Sequence, residues 1–238
     1  NLHLLLDFTR DKKIMKVVID SAIPYISGVL EPYAEVVYRA GEEFSAADVK
    51  DADALIIRTR TRCDEALLRD SRVKLIATAT IGFDHIDLQY CASQGIEVVT
   101  AAGCNAAGVL QWVAATLALL ARTQGWQPSQ KRLGIVGVGN VGSLVERYAR
   151  RWGFKVICCD PPRQEREGGD FVALEELLKE SDIVTLHTPL DTTTRGMINP
   201  QTLALMPKSA TLINASRGEV AQTEALLSAE QTLCLDVW

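Results

Sequence analysis

Between Gly134 and Gly142 the chain reads Gly-Ile-Val-Gly-Val-Gly-Asn-Val-Gly, and what flanks that string leaves few folds open. A β-branched run at 132–136 leads into it, and a helical pattern at 141–152 leads out. A second apolar run, 155–159, is followed by Asp160, eighteen residues past the last glycine. Gly137, Gly139 and Gly142 have the spacing G-x-G-x-x-G. The first permits a tight turn, the second lets the backbone approach a pyrophosphate, and the third lets helix and strand pack closely. The start of the helix adds unpaired N–H groups and a positive dipole end. Asp160 can accept hydrogen bonds from an adenine-ribose diol and would repel a 2′-phosphate. NAD is therefore expected over NADP, with Arg163 weakening that preference. The spacing alone is common; its place between a strand and a helix is what predicts a dinucleotide site.

The rest of the chain repeats the same alternation. Strands are predicted at 16–20, 54–58, 73–77 and 96–100, with helices at 46–52, 64–70 and 87–94. A long Ala- and Leu-rich helix follows at 105–122, before the breakers of Thr123-Gln-Gly-Trp-Gln-Pro128. A second set has strands at 132–136, 155–159, 183–186, 211–214 and 232–236, and helices at 141–152, 173–180 and 222–229. Alternation of this kind predicts parallel sheets covered on both faces. The expected fold is α/β, with two Rossmann-like or flavodoxin-like lobes and a cleft between them. Residues 15–104 are expected to form a substrate (catalytic) domain, and 105–238 a dinucleotide-binding domain that includes the linking helix. Residues 1–14, with Leu2, Leu4, Leu5 and Leu6 ahead of a charged run, form a leader of unknown role.

Composition narrows the function. With 47% hydrophobic and 23% charged residues the chain can bury a real core. A net charge of -5 argues against binding a nucleic-acid backbone. The longest nearly apolar stretch, 113–121, falls short of the roughly 20 residues of a membrane helix, so no membrane association is expected. The six cysteines are scattered without metal-ligand spacing, so no metal is expected. They read as small buried hydrophobes of a reducing cytoplasm.

Several further strings carry a resemblance. They are Val184-Thr-Leu-His187-Thr188-Pro189-Leu190, Leu212-Ile-Asn214-Ala215-Ser216-Arg217-Gly218 and Leu235-Asp236-Val237-Trp238. To these add Cys159-Asp160-Pro161-Pro162-Arg163, Ala77-Thr-Ala-Thr80-Ile-Gly82-Phe-Asp84-His85-Ile-Asp87 and Gly103-Cys104-Asn105-Ala106. From Met15 to Trp238 the chain resembles the D-isomer-specific 2-hydroxyacid dehydrogenases. The narrower strings are similar to the branch acting on a phosphorylated four-carbon sugar acid in vitamin B6 biosynthesis.

The resemblance implies NAD-dependent oxidation of a small phosphorylated hydroxy acid, with hydride leaving C2. Arg217 matches the catalytic arginine; a guanidinium fork suits a carboxylate because it binds in a fixed plane. Asp236 is implied to receive the nicotinamide carboxamide. Asn140, Val141 and Thr188 match other cofactor contacts, and Thr59 and Thr80 match polar substrate contacts. Arg58, Arg60 and Arg62 surround Thr59 with three cations that could meet a phosphate. The general-base histidine and its glutamate lie downstream of the Leu-Asp-Val-Trp string in the family, as does the region expected to form a homodimer. His85 and His187 belong to other motifs and are expected to be structural. Rival readings are a dehydrogenase of the 3-phosphoglycerate type and an NAD-sensing binding protein.

Overall fold

The computed structural model describes residues 14–238. Apart from Ile14, the leader expected at 1–14 lies outside the described residues. The chain divides into two compact units, one reaching to Ala102 and the other Gly103–Trp238.

In the first unit the apolar runs form β1 (Met15–Asp20), β2 (Ala34–Arg39), β3 (Ala54–Ile57), β4 (Leu75–Thr78) and β5 (Glu97–Thr100). The sheet order is β2-β1-β3-β4-β5, every pair parallel. Three short helices accompany it: α1 (Ala46–Val49), α2 (Glu65–Leu68) and α3 (Leu88–Ser93). Ser45, Asp64 and Asp87 cap them by accepting first-turn N–H groups. One core cluster joins Val18, Leu55, Ile57 and Ile76 to Val49, Leu67 and Cys91. Val17, Ile19 and Ala54 face a second, with Ile23 and Leu30. The strand β2 is absent from the sequence expectation. Its run Ala-Glu-Val-Val-Tyr-Arg lies at the sheet edge and is only half-buried, so it lacks the dense apolar signal of the inner strands.

The second unit opens with α4 (Ala106–Gln124), then β6 (Arg132–Val136), α5 (Asn140–Trp152) and β7 (Lys155–Cys159). There follow α6 (Pro161–Glu167), α7 (Leu174–Glu180), β8 (Ile183–Leu186), α8 (Pro200–Leu203), β9 (Thr211–Asn214), α9 (Thr223–Leu227) and β10 (Thr232–Leu235). Its parallel sheet runs β10-β9-β8-β6-β7. Numbered within its own unit, each sheet therefore has the order 2-1-3-4-5. Val113 and Leu117 of α4 pack with Val145 and Ala149 of α5 against Leu133 and Ile135. The opposite face buries Leu177, Leu178, Leu186, Leu212 and Ala225. The sequence expectation did not include α6 and α8, which begin at Pro161 and Pro200. Both prolines begin helices, where the missing N–H costs nothing, behind the caps Asp160 and Asn199. The nine-residue apolar stretch at 113–121 is also part of something longer. The helix α4 spans 19 residues and is long and apolar enough to cross a membrane by length and composition. Val113, Leu117 and Leu120 are buried in the core of the unit, and Leu119 is exposed.

The two sheets share one device at their amino ends. Asp53, just before β3, accepts the Lys16 N–H at 2.8 Å and returns its own N–H to the Lys16 carbonyl at 2.8 Å. Asp182, just before β8, does the same to Arg132, at 2.7 and 3.0 Å.

Candidate cofactor and substrate site

In sheets of this order, ligands bind at the carboxyl ends of the strands, where successive connections leave to opposite sides. In the second unit that point lies between β6 and β8. The glycine turn follows β6, and Thr188 follows β8.

Gly137 has φ +84°, and a Cβ there would lie 2.8 Å from the His187 carbonyl and 2.9 Å from Thr188 N. The close approach of turn to loop thus requires glycine. A Cβ at Gly142 would sit 2.0 Å from the Gly137 oxygen, so α5 can begin against the turn only with glycine there. Gly139 differs: a Cβ would meet nothing within 4 Å. The turn closes against protein at Gly137 and Gly142 and is open at Gly139.

Gly139 is the N-cap of α5, with no side-chain cap and no acidic residue in the first turn. The 13-residue helix presents its orphan N–H groups, exposed Asn140 and half-buried Val141 included, with no carboxylate in its own first turn. Beside it is a depression of about 470 Å³, lined among others by Gly139, Asn140, Arg147, Arg163 and Arg166. Asp160, half-buried at the end of β7, accepts Val138 N–H at 2.7 Å and Arg163 N–H at 2.9 Å. With two oxygens and about four lone-pair positions, its carboxylate retains capacity for a diol. Thr188 Oγ1 is buried without a hydrogen-bond partner, a polar atom that a bound molecule could satisfy. These features fit a dinucleotide.

His187 is half-buried, with Nε2 3.0 Å from Thr185 Oγ1 and a buried Nδ1 that has no partner. Burial pulls its pKa down to about 4, so the imidazole is neutral near pH 7. Burial also pushes the Cys158 and Cys159 thiols up to about 12 and about 11. All six cysteines are free.

At β9 the chain turns sharply through Asn214-Ala215-Ser216-Arg217. Asn214 is fully buried, and its Oδ1 accepts from Ser216 N at 3.1 Å and Ser216 Oγ at 2.8 Å. Its Nδ2 donates to the Arg217 carbonyl at 2.9 Å, and its own carbonyl accepts from Asp236 N at 3.0 Å. One side chain thus shapes the loop bearing Arg217, and the same residue's backbone ties in the strand end bearing Asp236. Arg217 is half-buried and donates to the Ser216 carbonyl at 2.9 Å; Asp236 is exposed. The sequence reading did not single out Asn214. Its signal was an amide at a strand end two residues before a serine.

In the first unit the corresponding point lies between β1 and β3. Asp20 is buried at the end of β1 and accepts Ala22 N–H at 2.9 Å. Thr59 is exposed just beyond β3. Thr80, after β4, donates to the Gly82 carbonyl at 3.1 Å and lies 2.6 Å from Thr78 Oγ1, which is 3.4 Å from His85 Nε2. A donor order running from His85 through Thr78 to Thr80 satisfies all three contacts and leaves Thr80 oxygen as an acceptor. The three arginines around Thr59 have contacts of their own. Arg58 donates to the Ala22 carbonyl, Arg60 pairs with Glu42 at 3.3 Å, and Arg62 pairs with Asp64 at 2.9 Å. Exposed pairs of this kind are held weakly and can be exchanged for another anion.

A doubly wound parallel sheet with an uncapped helix beneath a glycine turn, and an aspartate closing the next strand, defines a dinucleotide-binding domain of the Rossmann type. The comparisons with known proteins go further. Residues 106–236 match the NAD binding domain of the D-isomer specific 2-hydroxyacid dehydrogenases, and residues 14–127 match the catalytic domain. The chain belongs to that family. It is 47% identical over 235 residues to erythronate-4-phosphate dehydrogenase of Bacteroides fragilis (strain YCH46), covering 94% of this chain and 68% of that protein. It is 42% identical over 229 residues to the protein of the same name from Ectopseudomonas mendocina (strain ymp), covering 94% of this chain and 61% of that one. Among solved structures it is similar to D-lactate dehydrogenase from Aquifex aeolicus complexed with NAD and lactic acid, with TM-score 0.80, 29% identity, and 93% and 77% of the two chains covered. It is also similar to NAD+-bound 3-phosphoglycerate dehydrogenase of Entamoeba histolytica, with TM-score 0.81, 27% identity, and 95% and 81% covered.

Proposed function

We propose that this chain carries out, in the cytoplasm, the NAD-dependent oxidation of 4-phospho-D-erythronate to 2-oxo-3-hydroxy-4-phosphobutanoate, a step of pyridoxal 5′-phosphate (vitamin B6) biosynthesis. One observation carries the reading. The glycine turn, Thr188, Arg217 and Asp236 all stand at the carboxyl end of one sheet, on strands β6, β8, β9 and β10. NAD supplies the acceptor for the hydride that leaves C2. The α5 amides and the glycine turn hold its pyrophosphate, Asp160 its adenine ribose, and Thr188 and Asp236 its nicotinamide end. Arg217 binds the substrate carboxylate and polarises the C2 oxygen, with charge-assisted hydrogen bonds of about 1.5–3 kcal/mol. Thr59 and Thr80 contact the substrate in the first unit, and the arginines beside Thr59 meet its phosphate. Burial holds the His187 pKa down at about 4 and so makes it a weak proton acceptor; the family resemblance puts the general base beyond Trp238. The same reading makes the natural enzyme a homodimer with neither nucleic acid nor membrane as partner.

The test follows NADH formation from 4-phospho-D-erythronate, D-erythronate and D-3-phosphoglycerate by the natural gene product and its Arg217→Ala variant. Oxidation of the phosphorylated four-carbon acid alone is expected, falling by about 10² or more in Arg217→Ala with NADH affinity nearly unchanged. Preference for D-3-phosphoglycerate would move the protein to another branch of the family. Nucleotide binding without turnover of any hydroxy acid would favour a sensor.

A further inference from the structure

Behind the glycine turn is a clasp with its own logic. Val138 lies between Gly137 and Gly139, is buried, and has both polar groups held by the side chains of Asp160, Arg163 and Ser143. Its N–H donates to Asp160 Oδ2 at 2.7 Å. Its carbonyl accepts from Arg163 Nη1 at 2.8 Å and from Ser143 Oγ at 2.9 Å, and the same Nη1 lies 3.1 Å from Ser143 Oγ. Arg163 is fixed in turn. Its N–H donates to Asp160 Oδ1 at 2.9 Å, its Nε to Glu167 at 2.9 Å, and its guanidinium carbon lies 6.0 Å from the centre of the Phe171 ring.

A trans peptide is planar, with C=O and N–H pointing in opposite directions. The Val138 carbonyl and the Gly139 N–H belong to the same peptide. Holding that carbonyl against Arg163 and Ser143 therefore fixes the Gly139 N–H on the opposite side of the peptide. We infer that Arg163 is a positioning residue for the pyrophosphate turn, aiming the Gly139 amide by anchoring the Val138 carbonyl, and not a receptor for a 2′-phosphate. The inference rests on the dinucleotide reading and refines it. Position alone makes Arg163 look like a cation for NADP. The α6 geometry commits Nη1 to the turn and Nε to Glu167, and Asp160 sits beside them.

The test titrates the parent chain, Arg163→Gln, Arg163→Lys and Ser143→Ala with NADH and with NADPH by nucleotide fluorescence, below each protein's melting temperature. Arg163→Gln is expected to weaken both nucleotides by about tenfold, leaving the ratio of their Kd values unchanged. Arg163→Lys can still reach the Val138 carbonyl and should recover part of that loss. Ser143→Ala removes the other donor and should weaken both by about threefold. It also keeps the inference testable if Arg163→Gln does not fold. A loss confined to NADPH in the Arg163 variants would overturn the inference in favour of a phosphate receptor. Folded Arg163 variants with parental Kd values for both nucleotides would overturn it as well. A parent that binds neither nucleotide would remove the cofactor reading itself, and the inference with it.

Discussion

Gly139 and Gly142 are three residues apart, and the structure assigns alanine opposite consequences at the two positions. At Gly142 the new Cβ would lie 2.0 Å from the Gly137 oxygen and 3.0 Å from its carbon. Both are backbone atoms, so helix or turn must move by more than an ångström. Overpacking costs about 1–3 kcal/mol and sometimes more, against a helix-propensity gain of about 1 kcal/mol. Because the obstacle is rigid, the upper end applies, and a net loss of about 2–3 kcal/mol is expected. In a unit of this size that lowers Tm by about 4–12 °C. At Gly139 nothing lies within 4 Å of the new methyl group. Losing glycine at a helix N-cap costs about 0.5–1 kcal/mol, and the smaller entropy of the unfolded chain returns about 0.4–1 kcal/mol. Gly139→Ala should therefore keep its Tm within about 2 °C while placing a methyl group where the pyrophosphate must approach, weakening NADH at least tenfold. Calorimetric melting and NADH titration of the two variants side by side decide the matter. A Gly139→Ala protein that binds NADH like the parent would refute the placement of the pyrophosphate. A Gly142→Ala protein with parental Tm would refute the packing argument.

Other perturbations separate the remaining roles. His187 has a folded pKa of about 4 against an ordinary value of 6.5, so the unfolded chain binds the extra proton between those values. Stability is therefore full above pH 6.5 and is lost as pH falls toward 4, at most about 3 kcal/mol from this group. Urea unfolding of the parent and His187→Gln across that window should show a flatter profile for the variant; parallel profiles would contradict the assignment. Asn214→Asp keeps the acceptor for Ser216 but turns a carboxylate toward the Arg217 carbonyl. It should cost about 2–4 kcal/mol of stability and cut turnover at least tenfold, with NADH affinity little changed. Normal turnover would free Arg217 from its dependence on Asn214. Arg60→Ala should weaken 4-phospho-D-erythronate far more than D-erythronate in competition assays, and equal losses would exclude Arg60 from the phosphate site.

How much of this could be read from the chain depended on the kind of signal. Buried strands such as Ile183–Leu186 and Thr211–Asn214 are continuous apolar or β-branched runs, and the glycine spacing with Asp160 fixed the class of ligand. The edge strand Ala34–Arg39 gave no such run. The helices beginning at Pro161 and Pro200 were hidden because proline both ends and starts helices, and only the cap before it tells which. Arg163 shows the same limit at the site. Its position suggested a cation facing the ribose, but a helix starting at Pro161 puts it in the first turn against Val138. Asn214 carried only the weak signal of an amide two residues before a serine, since its role lies in where three hydrogen bonds end.

The aspartates that open β3 and β8, Asp53 and Asp182, stitch the amino ends of the two sheets, while Thr59, the glycine turn, Thr188 and Arg217 occupy the carboxyl ends. Each unit thus has a carboxylate stitch between neighbouring strands at the rim opposite its proposed ligand contacts. An engineer seeking a more stable protein could work around Lys16, Asp53, Arg132 and Asp182, away from the proposed ligand contacts, whereas changes of substrate would be sought at the opposite rim.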